Sequence, residues 1–176
     1  WEERPAIPQA PVCLHPVAYA GKSAAEKIKD LREQLLARHV EATLVCKLDE
    51  VAWLANIRGT DVHGCPLVVA YMWVTQQRAG LYVDDAKLDD TVRKALLEQG
   101  IECRPYGSLV QDLPVCEVPS VLLDVNSTNS KFGELLPEAC KIVSGGSLIA
   151  PEKAVKNEAE INGFRNTMHR DGIAMV

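Results

Sequence analysis

Residues 67–75 read LVVAYMWVT, an uncharged run rich in β-branched and aromatic side chains. It is far shorter than the ~20 apolar residues of a bilayer-spanning helix. Its composition predicts a central strand. Gln76 and Gln77 turn the chain, and residues 79–83 return as an antiparallel hairpin partner. Further strands are expected at residues 42–46, 101–104, 121–124 and 141–143. Helical spacing separates them. Ile28, Leu31 and Leu35 form one stripe behind a Ser23–Glu26 capping box. Val51, Trp53 and Leu54 lie on a short helix with Asp49 at its N-cap. Leu88, Val92 and Leu96 form a second stripe, started by Asp84 or Asp85 and closed by Gly100. Short helices are also predicted at residues 106–113 and 127–136, and a turn at Ser144, Gly145 and Gly146. The alternation specifies an α/β fold, a mixed β-sheet with helices on both faces.

The ends differ from this middle. Pro5, Pro8, Pro11 and Pro16 favour extended backbone, so residues 1–21 are expected to form an interdomain linker or arm outside the core. Residues 22–156 form the α/β domain. Residues 157–176 form a helix capped by Asn157 and Glu160, with an apolar stripe of Ile161, Phe164 and Met168. No glycine, asparagine or proline follows its last turn, and the first residue is Trp1 rather than Met. The expectation is an internal piece of a longer protein.

A chain of 176 residues can bury one full core. Its net charge of −5, with both signs interspersed, gives no basic surface for nucleic acid. No apolar stretch suits a membrane span or a signal peptide. The six cysteines are widely spaced without C-x-x-C, and several sit in apolar runs. They are read as reduced, packed thiols of a cytoplasmic protein.

Motifs for common chemistries are missing. There is no H-E-x-x-H, no zinc-spaced Cys/His set, no G-x-G-x-x-G or G-K-[ST] loop and no G-x-S-x-G. His63 and Cys65 are a close pair, read as loop residues rather than metal ligands. One polar cluster remains: Arg58, Thr60, Asp61 and His63, in the loop before the central strand. Loops at strand ends are where α/β proteins place chemistry. Arg58, Asp61 and His63 are the candidates for binding substrate or facing a cleft. The competing reading is a loop held by an Arg58–Asp61 pair and an Asp61 turn hydrogen bond. No catalytic residue and no metal ligand is assigned.

The segment LDEVAWLANIRGTDVHGCP resembles the second domain of eukaryotic-type Xaa-Pro aminopeptidases, the aminopeptidase P family of metallopeptidases. The matching residues are Leu48, Asp49, Glu50, Ala52, Trp53, Leu54, Asn56, Arg58, Gly59, Thr60, Asp61 and Pro66. Cys65 stands where that family has asparagine. Lys153, Ala154, Val155, Lys156, Asn157, Glu160, Arg165, Arg170 and Asp171 extend the match, and Trp1, Arg4 and Pro5 resemble the family's linker. The resemblance implies a creatinase-type N-terminal fold beside a catalytic domain outside this chain. In that domain two Asp, one His and two Glu would hold two divalent metal ions, Mn or Zn, and activate water against a peptide bond preceding proline. It implies no cofactor within this chain. The implied partners are the catalytic domain and peptides with proline second, with no nucleic acid and no membrane. The implied role is a non-catalytic middle domain that shapes access to the cleft and is inactive alone. The alternatives are a metal-free binding module on the same scaffold, like creatinase-fold histone chaperones, and a prolidase or creatinase relative.

Overall fold

Strands and helices alternate through residues 2–176, which this computed structural model describes. The expected match of Trp1 to a linker lies outside the described residues. In chain order the elements are β1 (Cys13–Leu14), α1 (Val17–Ala20), α2 (Ala24–Ala37), β2 (Ala42–Val45), α3 (Leu48–Leu54), β3 (Ile57–Arg58), β4 (Ala70–Thr75) and β5 (Ala79–Val83). Then come α4 (Asp90–Glu98), β6 (Glu102–Pro105), α5 (Leu109–Asp112), β7 (Ser120–Asp124), α6 (Ser130–Leu135), β8 (Lys141–Gly145), α7 (Ile149–Ala154) and α8 (Glu158–Ala174).

Six strands form one sheet in the order β6-β5-β4-β2-β7-β8. β4 is antiparallel to both neighbours, while β5–β6, β2–β7 and β7–β8 are parallel. Five strands therefore share one direction and β4 alone runs against them. The carboxyl ends of the five and the amino end of β4 lie along one edge of the sheet.

The period-two pattern of the strands divides the core. Ala70, Met72, Val74, Leu81, Val83 and Leu122 pack on one face with Leu31 and Leu35 of α2, Val51 and Leu54 of α3, and Val92 and Leu96 of α4. Tyr71, Trp73, Tyr82, Val121 and Leu123 face the other way, towards Leu109 and Phe132. Each fully buried side chain of Leu or Met size contributes about 1.5–3 kcal/mol. This is the mixed sheet covered on both faces that the alternation predicts.

The capping box of Ser23 and Glu26 forms as predicted, and the hairpin predicted over residues 67–83 forms over residues 70–83. Gly100 has φ +77 just beyond α4, the left-handed position that favours glycine.

Other elements differ, each for a local reason. The predicted strand over residues 67–75 begins at Ala70. The Asp61 carboxylate takes the Val69 N–H at 2.6 Å and the Leu67 carbonyl accepts from the Asp61 N–H at 3.1 Å, so residues 67–69 pair with the preceding loop. Lys47, not Asp49, occupies the N-cap of α3, and Asp49 pairs with Lys153 instead. Asp84 caps only a single turn, and Asp89 starts α4. The helix expected from residue 127 begins at Ser130, because the Ser127 and Thr128 N–H groups turn back onto the Asp124 carbonyl. β8 runs on to Gly145, two residues past its predicted end.

The proline-rich arm is partly built into the domain. Val12 is buried in the core at 4% exposure, and its N–H donates to the Lys87 carbonyl at 2.9 Å. β1 pairs antiparallel with β3, and α1 makes one helical turn that ends at Gly21. Pro16 sits at the N-cap of that turn, where proline costs the helix nothing.

α8 buries none of its residues. Phe164, Met168 and Ile173 are exposed. Its tie to the domain is Asn157, whose Oδ1 accepts from the Glu160 N–H at 3.0 Å while its Nδ2 donates to the Ala20 carbonyl at 2.8 Å.

Candidate functional site

The shared edge of carboxyl strand ends carries a network of charged side chains. In parallel sheets this is the edge where ligands bind. The loop before β4 lies there, as does the start of α3.

At the ends of β2 and β7, Lys47 reaches the Asp124 carboxylate at 2.8 Å and Glu50 at 3.6 Å. The Ser127 hydroxyl donates to Asp124 and the Ser147 hydroxyl to Glu50, each at 2.8 Å. Burial pushes the Asp124 carboxyl up. The Lys47 and Ser127 hydrogen bonds and the Asn126 N–H outweigh it and hold the group below its ordinary value. This network fastens three loops together.

Arg58, Asp61 and His63 do not converge. The Asp61 carboxylate turns inward to the Lys87 ammonium at 2.7 Å, with both side chains 1% exposed. No Arg58–Asp61 pair forms. The Arg58 Nη1 instead donates to the carbonyls of Ala52 at 3.0 Å and Ile57 at 2.8 Å. His63 is exposed in the turn bounded by the Val62–Cys65 bridge, beside Gly64 at φ +73.

Arg58 instead joins groups that no sequence motif marks. Lys27, 3% exposed, donates from Nζ to the Trp53 carbonyl at 2.8 Å and to Asn56 Oδ1 at 2.7 Å. It also lies 4.1 Å from the centre of the Trp53 ring. The ammonium thus caps the negative end of α3. Asn56 adopts φ +51, donates from Nδ2 to the Lys22 carbonyl at 2.8 Å, and accepts at its carbonyl from the His15 N–H at 2.7 Å. Burial, then the charges of Arg58 and Lys27, push the His15 imidazole below its ordinary value, while Glu160 opposes them. His15, Lys27, Asn56 and Arg58 therefore meet at the foot of α8. The one sequence signal was Asn56, a residue that tolerates left-handed backbone, sitting between a helix and a strand.

Lys27 carries a testable pH dependence. Burial lowers its ammonium from 10.5 to about 8. Between those values the unfolded chain holds the extra proton, so the Lys27 contribution to stability rises with pH across that window. Buried thiols act in the opposite sense. Burial raises Cys46 from 9.0 to about 11 and also raises Cys103, Cys116 and Cys140, so their contributions fall above pH 9. Subtracting the Lys27→Met variant removes the thiol background. The difference in unfolding free energy between wild type and variant is expected to rise by about 1–3 kcal/mol from pH 8 to 10. A flat difference would mean that folded and unfolded Lys27 titrate alike.

A groove of about 540 Å³ lies at the opposite edge of the sheet and is lined by Trp73, Gly80, Tyr82, Arg104 and Val118. Its Arg104 is already held by Asp112 at 2.8 Å, which also accepts from the Tyr82 hydroxyl. Among the described residues, no three His, Cys, Asp or Glu side chains group so as to hold a metal ion. No helix among them is long and apolar enough to cross a membrane.

The probable Xaa-Pro aminopeptidase P of Sordaria macrospora is 39% identical over 185 residues, which cover 99% of this chain and 30% of that protein. That of Neurospora crassa is 36% identical over 99% of this chain and 27% of its own length. The chain thus spans under a third of these curated relatives. Among solved structures, the X-prolyl aminopeptidase from Caenorhabditis elegans, described as a cytosolic enzyme with a di-nuclear active site, matches with TM-score 0.87 at 30% identity. That match covers 94% of this chain and 28% of the nematode protein. Likeness to the Xaa-Pro dipeptidase from Bacillus anthracis, TM-score 0.57 at 14% identity, is of fold alone. A family model described as the creatinase/prolidase N-terminal domain matches residues 3–160, and the chain belongs to that family.

Proposed function

We propose that this chain is a non-catalytic middle domain of a metal-dependent, cytosolic Xaa-Pro aminopeptidase. In this reading it borders the active-site cleft and restricts entry to short peptides with proline second. The observation that carries the reading is the likeness to the Caenorhabditis elegans enzyme, which takes in 94% of this chain and only 28% of that one. The remaining length of such an enzyme has room for a catalytic domain. A pair of divalent metal ions there, Mn or Zn, would supply Lewis-acid polarisation and a water acidified by the metal. The residues of this chain do not fit such a centre, since the described His, Cys, Asp and Glu side chains form no ligating group. Their contribution would be to hold the domain rigid along the carboxyl edge of the sheet and to present Arg58 and His63 there.

The test is hydrolysis of Xaa-Pro peptides with Mn²⁺ or Zn²⁺ supplied, comparing the purified 176-residue chain with the whole polypeptide of its reading frame. The whole polypeptide is expected to turn over and the segment to give only the buffer blank. Turnover by the segment after repurification from chelator, or none by the whole polypeptide, overturns the reading.

A further inference from the structure

Three basic residues, His15, Lys27 and Arg58, gather around Asn56 near the start of α8. The β1–β3 pairing sets Cys13 opposite Arg58, and the His15 N–H bonds the Asn56 carbonyl at 2.7 Å. Lys27 supports Asn56 from within at 2.7 Å. Arg58 and His15 are half-buried, and the Arg58 guanidinium is fixed by the two carbonyls that Nη1 engages.

That fixing decides which donors remain. A guanidinium carries five N–H groups, and Nε with Nη2 forms the side edge that grips a carboxylate through two parallel bonds. Among the described residues, neither Nε nor Nη2 of Arg58 donates a hydrogen bond. The one acid whose charge acts on both Arg58 and His15 is Glu160, and its Oε2 already accepts from the Asn157 N–H at 3.0 Å. The hydrogen-bond partners of Lys27 are neutral, and the same Glu160 is the acid whose charge reaches it. Positive charge is therefore in local excess on a chain whose net charge is −5.

We propose that Arg58 and His15 form a carboxylate-binding site, with the free edge of the guanidinium as the fork and the imidazole as a second donor. Lys27 is a positioning residue behind it. An anion seated there relieves the repulsion that Arg58 and Lys27 exert on a protonated His15. Two sources offer the chemistry: the terminal carboxylate of a bound peptide, or an acidic side chain of a neighbouring protein segment. Only the peptide source rests on the aminopeptidase reading, whose own failure would show in the hydrolysis assay.

The experiment is an NMR titration of the 176-residue chain near pH 6.5, following the His15 ring and the Arg58 Nε–H. Sodium acetate is compared with sodium chloride at equal ionic strength. Acetate is expected to move both signals saturably and to drive His15 towards imidazolium, while chloride does neither. Arg58→Gln should abolish saturation. Glu160→Gln keeps an acceptor for the Asn157 N–H and removes the competing charge, so acetate should bind roughly threefold tighter. The tripeptide Ala-Pro-Ala and its C-terminal amide separate the sources. Binding of the acid and not the amide assigns the site to a peptide terminus. Acetate binding with neither peptide bound assigns it to a protein acid. An acetate response equal to that of chloride overturns the site. So does saturation that survives Arg58→Gln, or an affinity unchanged by Glu160→Gln should Arg58→Gln disturb the fold.

Discussion

Replacing Lys87 with methionine is expected to destabilise the fold by about 3–5 kcal/mol, the cost of leaving a buried charge without its partner. The Lys87 ammonium lies 2.7 Å from the Asp61 carboxylate, and water reaches neither side chain. The same Asp61 oxygen accepts the Val69 N–H, and the other has no partner among the described residues. Methionine would fill the space of the lysine and leave the carboxylate stranded. The damage would spread along the chain, because the Lys87 carbonyl anchors Val12 of the arm and Asp61 anchors the loop leading into β4. A second change, Asp61→Leu, should recover about half of the loss, since it removes the stranded charge and leaves the Val69 N–H unpaired, at about 1–3 kcal/mol. Denaturant unfolding of the two single variants and the double variant closes the cycle. A Lys87→Met cost under about 1 kcal/mol would mean that the pair behaves as a solvated surface bridge.

That pair also marks how far the sequence could be read. The sheet was legible because its strands are short apolar runs whose alternate residues face two separate cores, and because each main helix carries its own stripe and cap. Ser23 with Glu26, Asn157 with Glu160 and the hairpin of residues 70–83 are local signals, settled within a few residues. The polar network was not legible, because its partners are far apart in sequence. Asp61 is 26 residues from Lys87, and Lys27 is 29 from Asn56. Proximity along the loop favours a pair of Asp61 with Arg58, the nearest cation, and that pair does not form. Lys27 lies on a helix that carries several other charged residues, and nothing in its neighbourhood distinguishes it from Lys29. The arm was misjudged for a related reason. Its prolines correctly exclude a long helix but do not prevent a two-residue strand or one turn of helix behind Pro16. Of the candidate site, the loop was legible. The groups meeting Arg58 come from the arm, α2 and α8, which only the fold brings together.

Substituting alanine for Gly21 is expected to cost about 2–4 kcal/mol and to release α8 from the domain. Gly21 closes α1 at φ +70, where an L side chain is disfavoured by about 1–2 kcal/mol. A Cβ there would also collide with the side-chain amide of Asn157. That amide caps α8 and holds the Ala20 carbonyl, and moving it forfeits a cap worth about 1–2 kcal/mol. α8 buries no side chain of its own, so little else fixes its direction. Asn157→Asp separates the two roles of the amide. Aspartate still accepts the Glu160 N–H and caps the helix, but it sets a carboxylate oxygen against the Ala20 carbonyl in place of a donor. In Asn157→Asp the helical signal should persist, while residual dipolar couplings of residues 158–174 no longer fit the orientation of the sheet. In Gly21→Ala the first turn of α8 should also exchange its amide hydrogens faster. Couplings that still fit one rigid body in both variants would show that α1 holds α8 through its backbone and exposed side chains alone, and that the asparagine bridge is incidental.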